Sequence, residues 1–194
     1  MQKEILQKEE KMLRQVAQEV PVGDIKTKKI KKVLKEMSEA LKSQSDGVAI
    51  AAPQIGYKLR IFVVSGKIFT TEFTEGKKER IERKHGNDTN IPEAPEREEK
   101  DSILTDMVFI NPKISRLSKK KEWVPEGCLS VRPLYGKTFR SNKATVTAYD
   151  ENGKKFIRGA SGLLAQIFQH ETDHLNGILF IDHAKDIKIE ELPK

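Results

Sequence analysis

The run Gln169-His170-Glu171-Thr172-Asp173-His174 constrains this chain more than any other segment. On an α-helix, histidines four residues apart project from successive turns on one face, and both imidazoles can reach a single divalent ion. Glu171 lies beside them, where its carboxylate can take a proton from a water on that ion. The spacing predicts a helix from about Ser161 to Leu175.

Catalytic sites of this kind use three protein ligands and leave one position for water, so a third donor is needed. One metalloprotease pattern continues as H-E-x-x-H-x-x-G-x-x-H; Gly177 fits it, but the last position is Phe180. A downstream glutamate would have to be Glu190 or Glu191, in the charged last residues, where little room remains for a further helix. The upstream option is Cys128, the only cysteine, in Glu126-Gly127-Cys128-Leu129-Ser130 after Pro125. One cysteine and two histidines complete a ligand set.

Taken with a third segment, these motifs resemble the peptide deformylase family. Its G-x-G-L-A-A-x-Q motif is approximated by Gly47-Val48-Ala49-Ile50-Ala51-Ala52-Pro53-Gln54, its E-G-C-L-S motif is matched in full at Glu126 to Ser130, and its Q-H-E-x-D-H motif at Gln169 to His174. The order is the family's, and the resemblance runs from about Leu13 to Asp182.

The resemblance implies hydrolytic removal of the formyl group from the N-terminal formylmethionine of new polypeptides. It implies one divalent ion on Cys128, His170 and His174, with Fe²⁺ favoured and Zn²⁺, Ni²⁺ or Co²⁺ also suited to such a donor set. Glu171 becomes the general base and acid, and the Gln54 side chain and Leu129 backbone N–H become donors to the attacked carbonyl. Gly47, Val48 and Ala49, with Glu126 and Gly127, are expected to bind the substrate, and Val48, Val124, Leu163 and Ile167 to line the methionine pocket. As isolated residues these last four are equally good core residues. Gln166 adds a polar group near that wall. Asp173 and Arg140 are candidates for an ion pair that orients the ligand helix.

Two positions depart from the family pattern. Ala49 stands where glycine is expected, and would be strained if the backbone there needed a positive φ or very close approach. Arg132 stands where proline is usual, which predicts a local loop change and an extra charge at the cleft edge. Two other functions fit the sequence: a metallopeptidase using the same helix, and a non-hydrolytic family member that binds the ribosome or nascent chains.

A chain of 194 residues is expected to form one catalytic domain. Its 34% charged content is concentrated in part in residues 75–101, where apolar residues are isolated. That stretch cannot bury enough surface to fold alone and reads as an insertion. His85 lies within it, and His183 follows an apolar stretch, so neither is a strong ligand candidate. A single cysteine excludes an intrachain disulfide. No long apolar run suits a membrane span or signal core, and the opening MQKEILQKEE is too acidic for a transit peptide, so a cytoplasmic protein with a reduced thiol is expected. The net charge of +7, with lysines clustered at Lys26 to Lys35 and Lys119 to Lys121, favours contact with a phosphate-rich surface such as the ribosome.

Periodicity predicts a helix capped by Asp24, in which Ile25, Ile30, Val33, Leu34, Met37, Ala40 and Leu41 face a sheet. Strands are predicted at Arg60 to Ser65, Met107 to Ile110, Lys113 to Leu117, Ala144 to Tyr149 and Lys155 to Ile157, with turns at Asn111-Pro112 and Asn152-Gly153. Because strands and helices do not alternate regularly, the expected class is α+β, with largely antiparallel sheets packed around a central metal-binding helix.

Overall fold

The computed structural model describes residues 3–68 and 105–189. The predicted insertion at 75–101 lies outside them. Helix α1 spans Lys28–Lys42, and its buried residues Ile30, Val33, Leu34, Met37, Ala40 and Leu41 form one apolar stripe. Its cap is Thr27, whose hydroxyl accepts from the Ile30 N–H, and not Asp24, which sits in a preceding 3-10 turn. Ile25 is fully buried but lies before the helix. Both residues read plausibly as helix start because hydroxyl and carboxylate side chains can each satisfy the first free N–H groups.

Among the described residues, eight strands form two antiparallel sheets. Strands β1 (Ala49–Ala51), β2 (Ile61–Val64), β3 (Met107–Leu117), β6 (Lys143–Tyr149) and β7 (Lys155–Ser161) make a five-stranded sheet in the order β1-β2-β3-β6-β7. Strands β4 (Lys121–Gly127), β5 (Leu134–Ser141) and β8 (Lys185–Ile189) make a three-stranded sheet in the order β4-β5-β8. The expected turn at Asn111-Pro112 is instead an irregularity within β3, where the register to β6 shifts between Ile110 and Lys113. Asn111 tolerates the φ of 52° there, and its side-chain amide exchanges two hydrogen bonds with the Val20 backbone. Asn152-Gly153 does form the β6–β7 turn, with Gly153 at a φ of 73°.

Helix α2 (Gly162–Leu175) lies on the opposite face of the large sheet from α1. Alternation along β2 shows why both faces can be covered. Ile61 and Val63 join the α1 cluster, while Phe62 and Val64 join the α2 cluster with Phe109 and Phe168. Phe62 and Phe109 stack at 4.5 Å, and Phe168 meets Phe109 edge-on at 5.1 Å, anchoring α2 two residues before His170.

The N-terminal segment closes against the far end of α2. Ala17 N–H donates to the Leu175 carbonyl at 2.9 Å, and Arg14 pairs with Asp182. Gly177, at a φ of 75°, is required twice over, since a Cβ there would meet the Arg14 carbonyl oxygen at 2.6 Å.

Candidate active site

Three elements bring the site together. The β4 strand ends at Gly127 and delivers Cys128 into the following loop, α2 supplies His170 and His174, and the 3-10 turn after β1 supplies Gln54. Candidate donor atoms of Cys128, His170 and His174 lie within 4.8 Å of one another, with Cys128 Sγ 3.2 Å from His174 Nε2. A thiolate and two imidazoles at this separation fit a single ion of tetrahedral preference, at roughly 2.0–2.3 Å from each donor. The ring of His170 is held by its Nδ1–H, which donates to Glu126 Oε1 at 2.7 Å. That leaves Nε2 free for coordination.

Glu126 is the hub of the supporting network. Its Oε2 accepts from Thr138 Oγ1 (2.6 Å) and Arg140 Nε (3.0 Å), and its Oε1 from Arg140 Nη2 (2.7 Å). Arg140 Nη1 in turn reaches Asp173 Oδ2 at 2.6 Å, which is the ion pair expected from the sequence, extended by Glu126. Burial pushes the Glu126 carboxyl upward, but the bonds from His170 and Arg140 outweigh it and hold the group well below the usual carboxylate range. For Arg140, burial opposes the charge and the two carboxylates restore it, with a net upward shift.

Glu171 has the opposite environment. It is buried, its Oε2 has no hydrogen-bond partner among the described residues, and its carboxyl is pushed up to about 7. Burial is the largest cause; the Glu126 and Asp173 charges add to it and His170 opposes it. A buried acid next to candidate ligands and unpaired is poised to exchange a proton near neutral pH. The buried Nδ1 atom of His174 likewise has no hydrogen-bond partner among the described residues.

Gln54 is buried and oriented by its neighbours. Its Oε1 accepts from the Ala51 N–H at 2.8 Å, so Nε2 must face Ser130 Oγ (3.0 Å) and Cys128 Sγ (3.7 Å). The Leu129 N–H donates to no acceptor among the described residues and borders the same cleft. That cleft has a volume of about 310 Å³. Strand β1 is one edge of the five-stranded sheet, with no second strand partner among the described residues, and Gly47, Val48 and Ala49 line the cleft along it.

A sequence profile of the polypeptide deformylase family matches residues 2–190. The chain belongs to the polypeptide deformylase family. A peptide deformylase of Leptospira biflexa is 34% identical over 178 residues, covering 92% of this chain and 85% of the relative. Peptide deformylase 1A, chloroplastic/mitochondrial, of Arabidopsis thaliana is 37% identical, covering 92% of this chain and 60% of that protein. Among solved structures, a peptide deformylase from Legionella pneumophila superposes with a TM-score of 0.70 at 30% identity, covering 96% of this chain and 88% of that one. A probable peptide deformylase from Synechococcus phage S-SSM7 gives 0.69 at 30% identity, with 93% and 99% covered.

Within this deformylase fold, the sequence-derived residues fall into place unevenly. Val48, Leu163 and Ile167 line the cleft, and Val124 lies outside it. It borders a separate, open pocket of about 210 Å³ beside Gln166, because the strand period puts Val124 on the same face of β4 as Glu126 but one step closer to the exposed start of the strand. Glu126 borders the cleft, yet its carboxylate is turned inward onto Arg140, Thr138 and His170. Ala49 is unstrained: it is an ordinary β1 residue paired with Val64 and has no positive φ. Arg132 does bring charge to the cleft edge, where it pairs with Asp46 across the mouth. His183 stays peripheral, 4.0 Å from Asp173.

Sequence reasoning missed Tyr135, which lies directly opposite Gly127 and lines the cleft. A Cβ on Gly127 would stand 2.4 Å from the Tyr135 ring, so the glycine of the second motif makes room for this aromatic wall. An aromatic across from a glycine on paired strands was the available signal, but it needed the β4–β5 register.

Proposed function

We infer that this chain is a metal-dependent hydrolase that removes the N-formyl group from newly made polypeptides, and that Cys128, His170 and His174 hold its ion. The observation that carries this reading is the pairing of an unpartnered, buried Glu171 with a compact Cys-His-His cluster at the base of a cleft bordered by an edge strand. When bound, the ion supplies a Lewis acid that acidifies water and polarises the formyl carbonyl. The mixed donor set suits Fe²⁺, favoured by the family resemblance, and equally accepts Zn²⁺, Ni²⁺ or Co²⁺.

Roles for the chain's own groups follow from their positions. The formyl-peptide lies extended along β1 as an added strand, with backbone groups of Gly47, Val48, Ala49 and Gly127 alongside it. Its first side chain enters the apolar wall of Val48, Leu163 and Ile167. Gln54 Nε2 and the Leu129 N–H point at the carbonyl oxygen and stabilise the charge that grows there. Glu171 takes a proton from the attacking water and returns it to the departing nitrogen, so formate and a free amine leave. Glu126, with Arg140 and Asp173 behind it, keeps His170 in one tautomer and orientation.

Exposed lysines on α1 and at Lys119 to Lys121 support a ribosome contact during this work. A free thiol ligand and a nascent-chain substrate support a cytoplasmic setting. Among the described residues, no helix is long and apolar enough to cross a membrane. The test is formate release from a formyl-Met peptide, using protein prepared without oxygen and loaded with Fe²⁺, beside Glu171→Ala. Formate that vanishes in the variant is expected; equal formate from both would remove Glu171 from the chemistry.

A further inference from the structure

The sheet β4-β5-β8 turns unlike faces to its two sides. Along β5, Gly136, Thr138 and Arg140 are buried while Lys137 and Phe139 are exposed. The bonds around Glu126 therefore occupy the inner face, and the alternate residues stand on the outer one. Register places Trp123 directly opposite Phe139, and their rings meet at 5.2 Å. Both stay open to solvent, at 43% and 50% exposure. Two large aromatics side by side on a solvated sheet face are apolar area that the fold itself leaves uncovered.

The charges on that face are almost all of one sign. Lys121 is two residues before Trp123 and Lys137 two before Phe139, so both share the aromatics' face, and the register to β8 sets Lys185 opposite Lys137 and Lys188 opposite Tyr135. All four lysines are exposed. Lys137 pairs with Asp186 at 3.3 Å, whereas the other three have no acidic partner among the described residues. The Lys185 ammonium lies 4.7 Å from the centroid of the Trp123 ring, which presents a cation and a π surface together.

Lysines alone attract any polyanion, but open ring faces add a second requirement. The partner must carry flat π systems between its anionic groups. A single-stranded nucleic acid meets both, since its bases stack on aromatic side chains while its phosphates meet the lysines; a duplex keeps its base faces covered. We propose that the outer face of the β4-β5-β8 sheet binds single-stranded RNA, with a base stacked at the Trp123–Phe139 pair and the flanking phosphates on Lys121, Lys185 and Lys188. The choice of RNA over DNA rests on the proposed action on newly made polypeptides; the stacking does not. Neither the aromatic pair nor these lysines line the catalytic cleft, so RNA on this face leaves the cleft open to a short peptide.

Trp123 is the only tryptophan of the chain, so its emission reports on this face directly. The full metal-loaded protein is titrated with a short unstructured RNA of repeating CA, with a duplex of the same sequence, and with inorganic polyphosphate. The single strand is expected to quench Trp123, and its log affinity to fall against log salt with a slope of about −2, roughly 0.7 for each of three lysines. Duplex and polyphosphate are expected to bind about tenfold or more weakly, without the quench. Anisotropy of labelled RNA should show a loss of about tenfold in Trp123→Ala and in Phe139→Ala, with formate release from a short formyl-Met peptide unchanged in both. Lys185→Gln, expected to flatten the salt slope by about 0.7, keeps the test alive if the aromatic variants do not fold. Equal quenching by polyphosphate or duplex would overturn the proposal, as would wild-type RNA affinity in folded aromatic variants or an unchanged slope in Lys185→Gln. A wild-type protein that is quenched by RNA yet releases no formate would overturn the proposed reaction and leave the RNA-binding face standing.

Discussion

Helices α1 and α2 are nearly equal in length, 15 and 14 residues, and both pack on the large sheet, yet they are buried in different ways. The buried residues of α1 are all apolar, and its outer face carries lysines with pairs such as Lys32–Glu36 at 3.8 Å and Lys35–Glu39 at 3.7 Å. Those exposed pairs add little stability; the apolar stripe dominates. Helix α2 buries Gln169, Glu171, Thr172 and His174 as well as its apolar residues. Gln169 exchanges bonds with the Ser141 backbone, and the Thr172 hydroxyl donates to the Phe168 carbonyl. Glu171 Oε2 and His174 Nδ1 have no partner among the described residues. Buried polar groups left over after such matching mark where structure yields to chemistry.

The contrast breaks first at Glu171. Glu171→Gln is expected to lower formate release by about 10²–10⁴-fold. Its stability in urea should not fall, since Oε2 loses no partner. A large drop in unfolding free energy would make Glu171 a structural group after all. Next comes Arg140→Met, which leaves Glu126 and Asp173 without their shared cation. It should cost about 3–5 kcal/mol in chemical denaturation, and weaken metal binding about 10–100-fold in a titration.

Acid should act on the same network. The Glu126 carboxyl is depressed in the folded protein, so its contribution is complete above the ordinary carboxylate pKa of about 4.3 and is lost as pH falls through and below it. Equilibrium unfolding measured from pH 7 downward should show that loss in the wild type and a shallower one in Arg140→Met. On α1, Met37→Ala opens a cavity in the stripe and should cost about 2–5 kcal/mol in the same assay. Activity per folded molecule should survive, because Met37 belongs to the cluster on the sheet face away from α2. The smallest effect is Thr27→Ala, at about 1 kcal/mol; a 3.5 Å bond to the Ile30 N–H argues for no more.

The same contrast explains what could be read in the sequence. The stripe of α1 was legible because the heptad-like spacing of Ile30, Val33, Leu34, Met37 and Leu41 is a local signal. The site was legible because His170 and His174 sit on one helix and Cys128 lies in a matched motif. Strands β4, β5 and β8 were not, since Lys121–Gly127 carries a proline and two glutamates and Lys185–Ile189 is exposed throughout. Their pairing comes from tertiary register, not from composition. The position of Val124 failed for the same reason: which wall it faces depends on β4, whose existence was not visible. The inward turn of Glu126 needed Arg140 and Thr138 on β5, 14 and 12 residues away.

The lock at Gly177 has a bearing on timing. Arg14 and Asp182 are 168 residues apart, and the Leu175 end of α2 is sealed by Ala17. During its own synthesis the chain exposes Cys128 long before His170 and His174 exist, and the seal on their helix waits for the segment that carries Asp182. Contacts of such sequence separation form late and slowly. The candidate ligand set of an enzyme that trims nascent chains is thus incomplete until His174 has been made, and its helix lacks the Arg14 clamp until Asp182 has followed.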